Sequence, residues 1–286
     1  MSARRISLTA IAIAALLAVA GCGSSSSGVQ AITVGAARTF QLAGFQPSTT
    51  VPAGRPVPVT FTVQQPSGNA LTAYKTGGGP HTGVHLIIVR DDLAFIIHHH
   101  PPVGAGGVLH DTVTFPAPGP YRVLVDVYPN IPGGQPNFQL LKSITVAGAY
   151  HPRPLPAFKA NQVIDGYHFD MAGGAPSLHA IQAAFVNIDV TDPQGHKVTF
   201  VPWYGALAHA IFFHEGSLDY FHTHVCGAGA PNCTSVLGAT RVSGRSTAPG
   251  KLTLGILLPV PGTWELFLQA LMGGHVVTVP YTLKVS

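Results

Sequence analysis

Charged side chains are scarce in this sequence, which carries 15 Lys and Arg and 11 Asp and Glu among 286 residues. Charged residues make up 9% of the chain, whereas about 25% is usual for a soluble domain. Disordered chains combine high charge with little apolar content, and 46% of this chain is hydrophobic, so disorder is excluded. The net charge of +4 comes with no Lys/Arg cluster, and we therefore predict no nucleic-acid partner.

Signatures of common enzymes are also missing. The sequence contains no Gly-x-Ser-x-Gly elbow, phosphate loop, His-Glu-x-x-His or dinucleotide fingerprint. Glu215 and Glu265 are its only glutamates, which leaves few carboxylates for acid–base work. We therefore predict that the protein is not an enzyme. A metal-dependent hydrolase is the remaining alternative, because a zinc ion on three histidines can activate water.

What the chain does have is histidine and short apolar runs. Its 15 histidines equal all the Lys and Arg together, and 33 Gly and 25 Pro separate runs rich in Val, Ile, Phe and Thr. This pattern is typical of strands joined by turns, and no helical periodicity competes with it. Predicted strands include residues 57–63, 85–89, 94–98, 121–127 and 144–146.

The N-terminus reads as an export signal. Arg4 and Arg5 precede an apolar stretch at 6–20 that is too short to span a bilayer. The following Val19-Ala20-Gly21-Cys22 resembles the lipobox of bacterial lipoproteins, which implies cleavage after residue 21, lipidation of Cys22 and anchoring to the outer side of a membrane. We predict a signal peptide at 1–21 and a Ser/Gly tether at 22–29; an ordinary signal with a chance cysteine is the alternative.

Two further cysteines lie close together, at Cys226 and Cys233. In the oxidising surroundings of an exported protein, neighbouring cysteines usually pair. We expect a disulfide between them. Thiolate binding of a metal is the alternative, because Cys226 follows His224 by two residues.

The body of the chain is an internal duplication. Residues 115–121, with Pro-Gly at their centre, recur as 258–264, and two histidine groups share one spacing, with intervals of 13 and 15 residues from the first histidine. We predict a first copy at 30–148, a Pro-rich linker at 149–157 and a second copy at 158–286. About 120 residues per copy and strand-like runs predict an all-β protein of two tandem antiparallel β-sandwiches, Ig-like or cupredoxin-like.

The histidine spacing predicts where the imidazoles point. If the turn of the first hairpin is centred between Asp91 and Asp92, His85 lies directly opposite His98, and the same construction places His209 opposite His222. Residues two apart on a strand share a face, so His100 and His224 join these pairs. Each copy thus presents three imidazoles on one face: His85, His98 and His100; His209, His222 and His224.

Three converging imidazoles can bind a transition metal, and copper and zinc both suit neutral imidazole. The alternative is that these histidines are packing residues of an Ig-like interaction or structural module. Two separate sites or one shared site between the copies both remain open. We expect His99 to point to the opposite face and His214 to solvent, whereas His81 shares the parity of the first triad.

One further resemblance concerns the second copy. The runs at 205–209, 221–224 and 261–269 resemble largely uncharacterised bacterial secreted proteins and lipoproteins, some of them associated with heavy-metal or copper handling. Members typically carry His-x-His-Pro, as at 98–101, whereas Val225 replaces the proline in the second copy. The resemblance implies an envelope role in metal sequestration or delivery; no protein partner follows from it.

Overall fold

The computed structural model describes residues 39–75, 83–228, 244–246 and 248–286. Regular structure within these ranges consists of β-strands and one short 3-10 turn at Ala105–Gly107, which confirms the predicted all-β class. The predicted signal peptide, the tether and Cys22 lie outside the described residues. None of the described segments forms a helix long and apolar enough to cross a membrane.

The first copy is a sandwich of two antiparallel sheets, with strand orders β1-β2-β5 and β4-β3-β6-β7. In β2, valine and phenylalanine are buried at every second position and alternate with less buried prolines, threonines and a glutamine, because successive side chains of a strand face opposite ways. These buried residues pack with the inner face of the other sheet into one apolar core. The strands are β1 (Gln41–Gln46), β2 (Pro56–Gln64), β3 (Val84–Arg90), β4 (Ile96–His99), β5 (Val108–Thr114), β6 (Gly119–Val127) and β7 (Phe138–Val146).

The second copy repeats this plan with additional strands. Its sheets have the orders β14-β10-β9-β8 and β13-β12-β11-β15-β16, and their inner faces enclose a second core around Trp264. All of its strand pairs are antiparallel except β12 with β13. The strands are β8 (Asn161–Ile164), β9 (Tyr167–Met171), β10 (Ala184–Thr191), β11 (Ala208–His214), β12 (Tyr220–Gly227), β13 (Gly244–Ser246), β14 (Lys251–Ile256), β15 (Gly262–Met272) and β16 (His275–Val285).

A repeated corner supports the duplication independently of the histidines. At the start of β6 the buried Tyr121 donates its hydroxyl hydrogen to the carbonyl of Ala117, at 2.9 Å. At the start of β15 the buried Trp264 donates its indole N–H to the carbonyl of Val260, at 3.1 Å. A buried aromatic residue that bonds to backbone a few residues upstream is typical of Ig-like sandwiches. Both copies therefore have the predicted Ig-like architecture.

The predicted hairpin register is wrong by two residues in both copies. Ile87, not His85, lies opposite His98, and Ile211, not His209, lies opposite His222. His209 pairs with His224 instead, and the first hairpin, continued by one residue, places His85 opposite His100. Because the shift is an even number of residues, all six histidines keep their predicted face.

The cause is the conformation of the connecting loop. Arg90 pairs with Phe95 across a four-residue loop, which centres the turn one residue later than predicted. Leu93 in this loop and Leu218 in the second adopt left-handed backbone conformations, with φ of 59° and 58°. Leucine rarely adopts such a conformation, so the sequence gives no sign of where the turn lies.

The two copies pack face to face. Strands β3 and β11 are buried along their whole length except for the last residue of β11, because one face of each strand enters its own core and the other meets the opposite copy. The contact is an apolar cluster, called here the interface cluster, which combines residues of both copies. Its buried members are Ile87, Val89, Leu93, Leu124, Ile211, Phe213, Leu218 and Phe267.

The segment between the copies contains no strand. It extends from the end of β7 at Val146 to the start of β8 at Asn161, and its Leu155 packs on the interface cluster. The backbone N–H of Arg153 donates to Asp92 at 2.9 Å, which ties the segment to the first hairpin loop. The boundaries of 30–148, 149–157 and 158–286 stay predictions.

Candidate metal centre

The six predicted ligands lie on the two hairpins that face each other across the interface. In the first copy His85 lies on β3, His98 on β4, and His100 directly after β4; in the second, His209 lies on β11, and His222 and His224 lie on β12. His85 and His98 are 5% exposed, and His209 and His222 are fully buried. The histidines share their face with Ile87 and Ile211, so the packing that forms the interface cluster also buries the imidazoles.

Face-to-face packing brings the two triads into one cluster. The ring centroid of His85 lies 4.9 Å from that of His222 and 5.6 Å from that of His224. The rings of His98 and His209 are 5.0 Å apart. The arrangement is therefore a single group of six imidazoles, contributed equally by the two copies, which we call the histidine cluster.

Within each triad the ring nitrogens converge. His98 Nε2 lies 3.3 Å from His85 Nδ1 and 3.1 Å from His100 Nε2, and His209 Nδ1 lies 3.1 Å from His222 Nε2. Nitrogens bound at about 2.0 Å to one tetrahedral metal ion are separated by about 3.3 Å. The nitrogen spacing thus matches the edges of a metal coordination shell.

Two overlapping sets of ligand atoms can be drawn from the cluster. In each set all ligand atoms lie within 4.8 Å of one another. The first set is the complete triad of the first copy, and the second is the complete triad of the second copy with His85 added. His85 is therefore the residue that both sets contain.

Burial keeps these imidazoles neutral. Removal from water lowers the pKa of His98 to about 3, although its hydrogen bond with Gln269 acts in the opposite direction. Burial also holds the pKa of His85, His209 and His222 well below the ordinary value, and the neighbouring imidazoles lower it further. Neutral imidazole is the form that binds metal ions, so near pH 7 these four ligands need not lose a proton first.

Two groups orient the rings from outside. Gln269 on β15 places its amide oxygen 3.0 Å from His98 Nδ1, and its amide nitrogen donates to Thr278. His98 therefore carries its hydrogen on Nδ1 and directs the lone pair of Nε2 into the cluster. His209 donates from Nε2 to the carbonyl of Trp203, at 3.1 Å, which leaves Nδ1 as its ligand atom. Such hydrogen bonds to the distal nitrogen are typical of metal-binding histidines.

An aromatic turn covers the cluster. Trp203 and Ala206 exchange both backbone hydrogen bonds across Tyr204 and Gly205, which have positive φ of 47° and 81°. The Tyr204 ring stacks on His100 with centroids 3.7 Å apart, and Trp203 meets His98 edge-on at 5.4 Å. A cavity of about 520 Å³ lies beside this turn, and its lining includes His98, Trp203, Tyr204 and Gln269. His98 is the member of the histidine cluster that lines this cavity.

A buried carboxylate lies next to the cluster. Asp126 on β6 is directly opposite His85 and is fully buried. It accepts hydrogen bonds from the hydroxyls of Tyr128 and, across the interface, Tyr220, both at 3.2 Å. Burial raises the pKa of Asp126 to about 6, against the effect of its hydrogen-bond donors. The Tyr220 bond joins the two copies at the edge of the histidine cluster.

The other predicted residues lie away from the cluster or outside the described part of the chain. His99 points to the other face, as predicted, and pairs with Asp111 at 2.7 Å. His214 contacts Ser217 and the carbonyl of Pro261 rather than pointing only to solvent. Cys226 is buried in β12, but Cys233 lies outside the described residues, as does His81. The Cys226–Cys233 disulfide stays a prediction.

Sequence reasoning missed the residues that surround the ligands. Trp203 and Tyr204 belong to no repeated motif, whereas Asp126 and Gln269 occupy equivalent positions of the two copies, directly opposite the first histidine of each triad. Gln269 and His98 are 171 residues apart in the sequence, so only the packing of the two copies reveals their contact.

Comparison with known proteins gives one family match. A family model described as a domain of unknown function, DUF8832, matches residues 161–286, which is less than half of the chain. No curated protein matches the sequence.

Several solved structures of tandem β-sandwich proteins are similar to the chain. The Escherichia coli adhesin FdeC is 14% identical, with a TM-score of 0.26, and the match covers 87% of this chain and 65% of that one. Invasin, a bacterial integrin-binding protein, is 13% identical with a TM-score of 0.24 over 87% and 39% of the two chains. The fibronectin(III)-like modules of Clostridium thermocellum CbhA are 11% identical with a TM-score of 0.21 over 84% and 91%. This chain thus spans less than two thirds of the FdeC and invasin structures, and scores of this size carry no argument about function.

Proposed function

We propose that this protein binds a transition metal ion, copper or zinc, in the histidine cluster between its two sandwiches, for sequestration or delivery in the cell envelope. The observation that carries the proposal is the convergence of six imidazoles from two copies, with ring nitrogens 3.1 to 3.3 Å apart inside the triads. Imidazole nitrogens suit both metals.

The surroundings of the cluster support the binding of a metal ion. Four of the six ligands are buried, the distal nitrogens of His98 and His209 are held by Gln269 and Trp203, and the ring of Tyr204 stacks on His100. Hydrogen bonds that orient the ligand rings in this way raise metal affinity.

The test is metal content. The purified full chain, dialysed against Cu²⁺ or Zn²⁺ and analysed for bound metal, should retain the ion, and His85→Ala or His222→Ala should weaken its binding at least tenfold. The matched control is His99→Ala, which changes a histidine on the opposite face and should bind metal as the unaltered chain does. Equal metal content in all four proteins, or none in the unaltered chain, would exclude the proposal.

An Ig-like interaction or structural module is the second candidate. It is favoured by the hydrogen bonds of His98 to Gln269 and of His209 to Trp203, since buried histidines with polar partners also serve packing. In that case the same variants would lower the stability of a chain that retains no metal. Thermal unfolding of the four proteins, recorded beside their metal content, separates the two functions.

The proposed anchor is the lipid on Cys22. It rests on the lipobox-like sequence at 19–22 alone, and it would hold the two sandwiches at the outer side of a membrane through the Ser/Gly-rich segment that follows. Replacing Cys22 by Ser should move the protein from the membrane fraction of expressing bacteria to the soluble fraction. An unchanged distribution between the two fractions would contradict the anchor but leave the metal proposal untouched.

A further inference from the structure

We propose that the number of ions in the histidine cluster depends on their charge: two monovalent copper ions, one on each triad, but a single zinc ion. This inference rests on the proposed function and extends it to stoichiometry. His85 is the residue that decides between the two arrangements, because it belongs to both sets of ligand atoms.

The ligand count is the first step of the argument. Structural zinc sites are almost always held by four protein ligands, and six imidazoles exceed that number by two. The two triads share no residue, and in each the three ligand atoms lie within 4.8 Å of one another. Each copy therefore supplies a complete three-nitrogen site, and three nitrogens suffice for copper(I), a d¹⁰ ion with low coordination numbers.

The second step of the argument is the assignment of His85 to one or the other set of ligand atoms. When His85 joins His209, His222 and His224, the cluster offers four nitrogens, the number that zinc prefers. The first copy then keeps only His98 and His100, too few imidazoles for a second tetrahedral ion. When His85 stays with His98 and His100, both triads are complete and neither has a fourth histidine.

Charge is the third step. Coulomb repulsion grows with the product of the charges, so two divalent ions side by side repel each other four times as strongly as two monovalent ions. Imidazole binds metal ions in its uncharged form, and Asp126, directly opposite His85, is the buried acidic residue next to the cluster. Glu265, the other buried acidic residue in the described part of the chain, lies four residues before Gln269 on β15. A single carboxylate can partly offset two positive charges but not four, and this favours two copper(I) ions or one zinc ion.

The experiment compares the two ions on the same protein. The full chain is loaded with copper(I), supplied anaerobically as its acetonitrile complex, or with Zn²⁺, dialysed and analysed for bound metal. We expect two copper ions and one zinc ion per chain. Equal numbers of copper and zinc would overturn the inference while leaving the proposed function intact; binding of neither ion would overturn both.

Single substitutions test the role of His85. His100→Phe, which keeps a ring to stack on Tyr204, should lower copper from two ions to one and leave zinc affinity within about threefold, because His100 belongs only to the first set. His85→Phe should also lower copper to one ion but weaken zinc at least tenfold. His99→Phe is the control for both. If His85→Phe and His100→Phe affect zinc equally, His85 is not the shared ligand.

Discussion

The two triads of the histidine cluster have the same spacing but different surroundings. His209 and His222 are fully buried, whereas His85 and His98 are 5% exposed and His98 lines the cavity beside the aromatic turn. The orienting groups differ as well. A backbone carbonyl of its own copy holds His209, but a side chain of the opposite copy, Gln269, holds His98.

This difference shows what the duplication preserved and what it did not. The strand register and the ligand face are the same in both copies, because they follow from the local pattern of each hairpin. The hydrogen bonds to the rings depend on which elements pack nearby, and these differ between the copies. The second triad is therefore oriented by its own copy, and the first depends on the docking of the two copies.

Loosening the interface between the copies should destabilise the protein and weaken metal binding at the two triads unequally. This is the largest effect that we predict. Ile87 and Ile211 occupy equivalent positions, each opposite the middle histidine of its copy, and both are fully buried in the interface cluster. Replacing either by Ala leaves a cavity, which should lower the free energy of unfolding by about 2–5 kcal/mol. Denaturant unfolding of the metal-free protein measures this loss.

Metal affinity then distinguishes an effect of the packing between the copies from a general loss of stability. Either Ile→Ala change should weaken binding at the first triad more than at the second, because Gln269 is contributed across the loosened interface. Ile188→Ala, in the core of the second copy, is the matched control; it should cost similar stability without changing the affinity of either triad. Equal weakening of metal binding at both triads in the Ile87 and Ile211 variants would contradict the view that only the first triad depends on the packing of the two copies.

The sequence was sufficient to predict the ligand face but not the register. A period of two residues along each strand fixes which histidines project together, and an error of two residues in the pairing leaves that result unchanged. The register itself depends on Leu93 and Leu218 in left-handed conformations, which no residue preference indicates.

Convergence of the two triads was beyond the reach of the sequence for a different reason. It requires that the outer faces of β3 and β11 pack together, and the residues that do this, such as Val89 and Phe213, look like ordinary core residues. Strands with apolar residues on both faces indicate that a second surface is covered. They do not indicate that the other copy covers this surface. From the sequence alone, a shared cluster and two separate sites therefore remained equally possible.

The orienting side chain should matter less than the interface but affect only one triad. Gln269→Met keeps the shape of the side chain and removes the oxygen that accepts from His98 Nδ1, so this ring can change tautomer and turn its Nε2 away from His85 and His100. Loss of such a partner costs about 10–100-fold in metal affinity. Competition for copper(I) with a chelator of known affinity should show this loss of affinity at the first triad and none at the second.

Two controls make this prediction specific. Thr278→Val removes the group that accepts from the Gln269 amide but leaves the oxygen next to His98, so it should cost less affinity than Gln269→Met. The second triad has no counterpart to test by substitution, since the carbonyl of Trp203 is present whatever the side chain at 203. If Gln269→Met weakens both triads alike, the ion is bound by one indivisible shell of six histidines, and the difference between the copies has no bearing on binding.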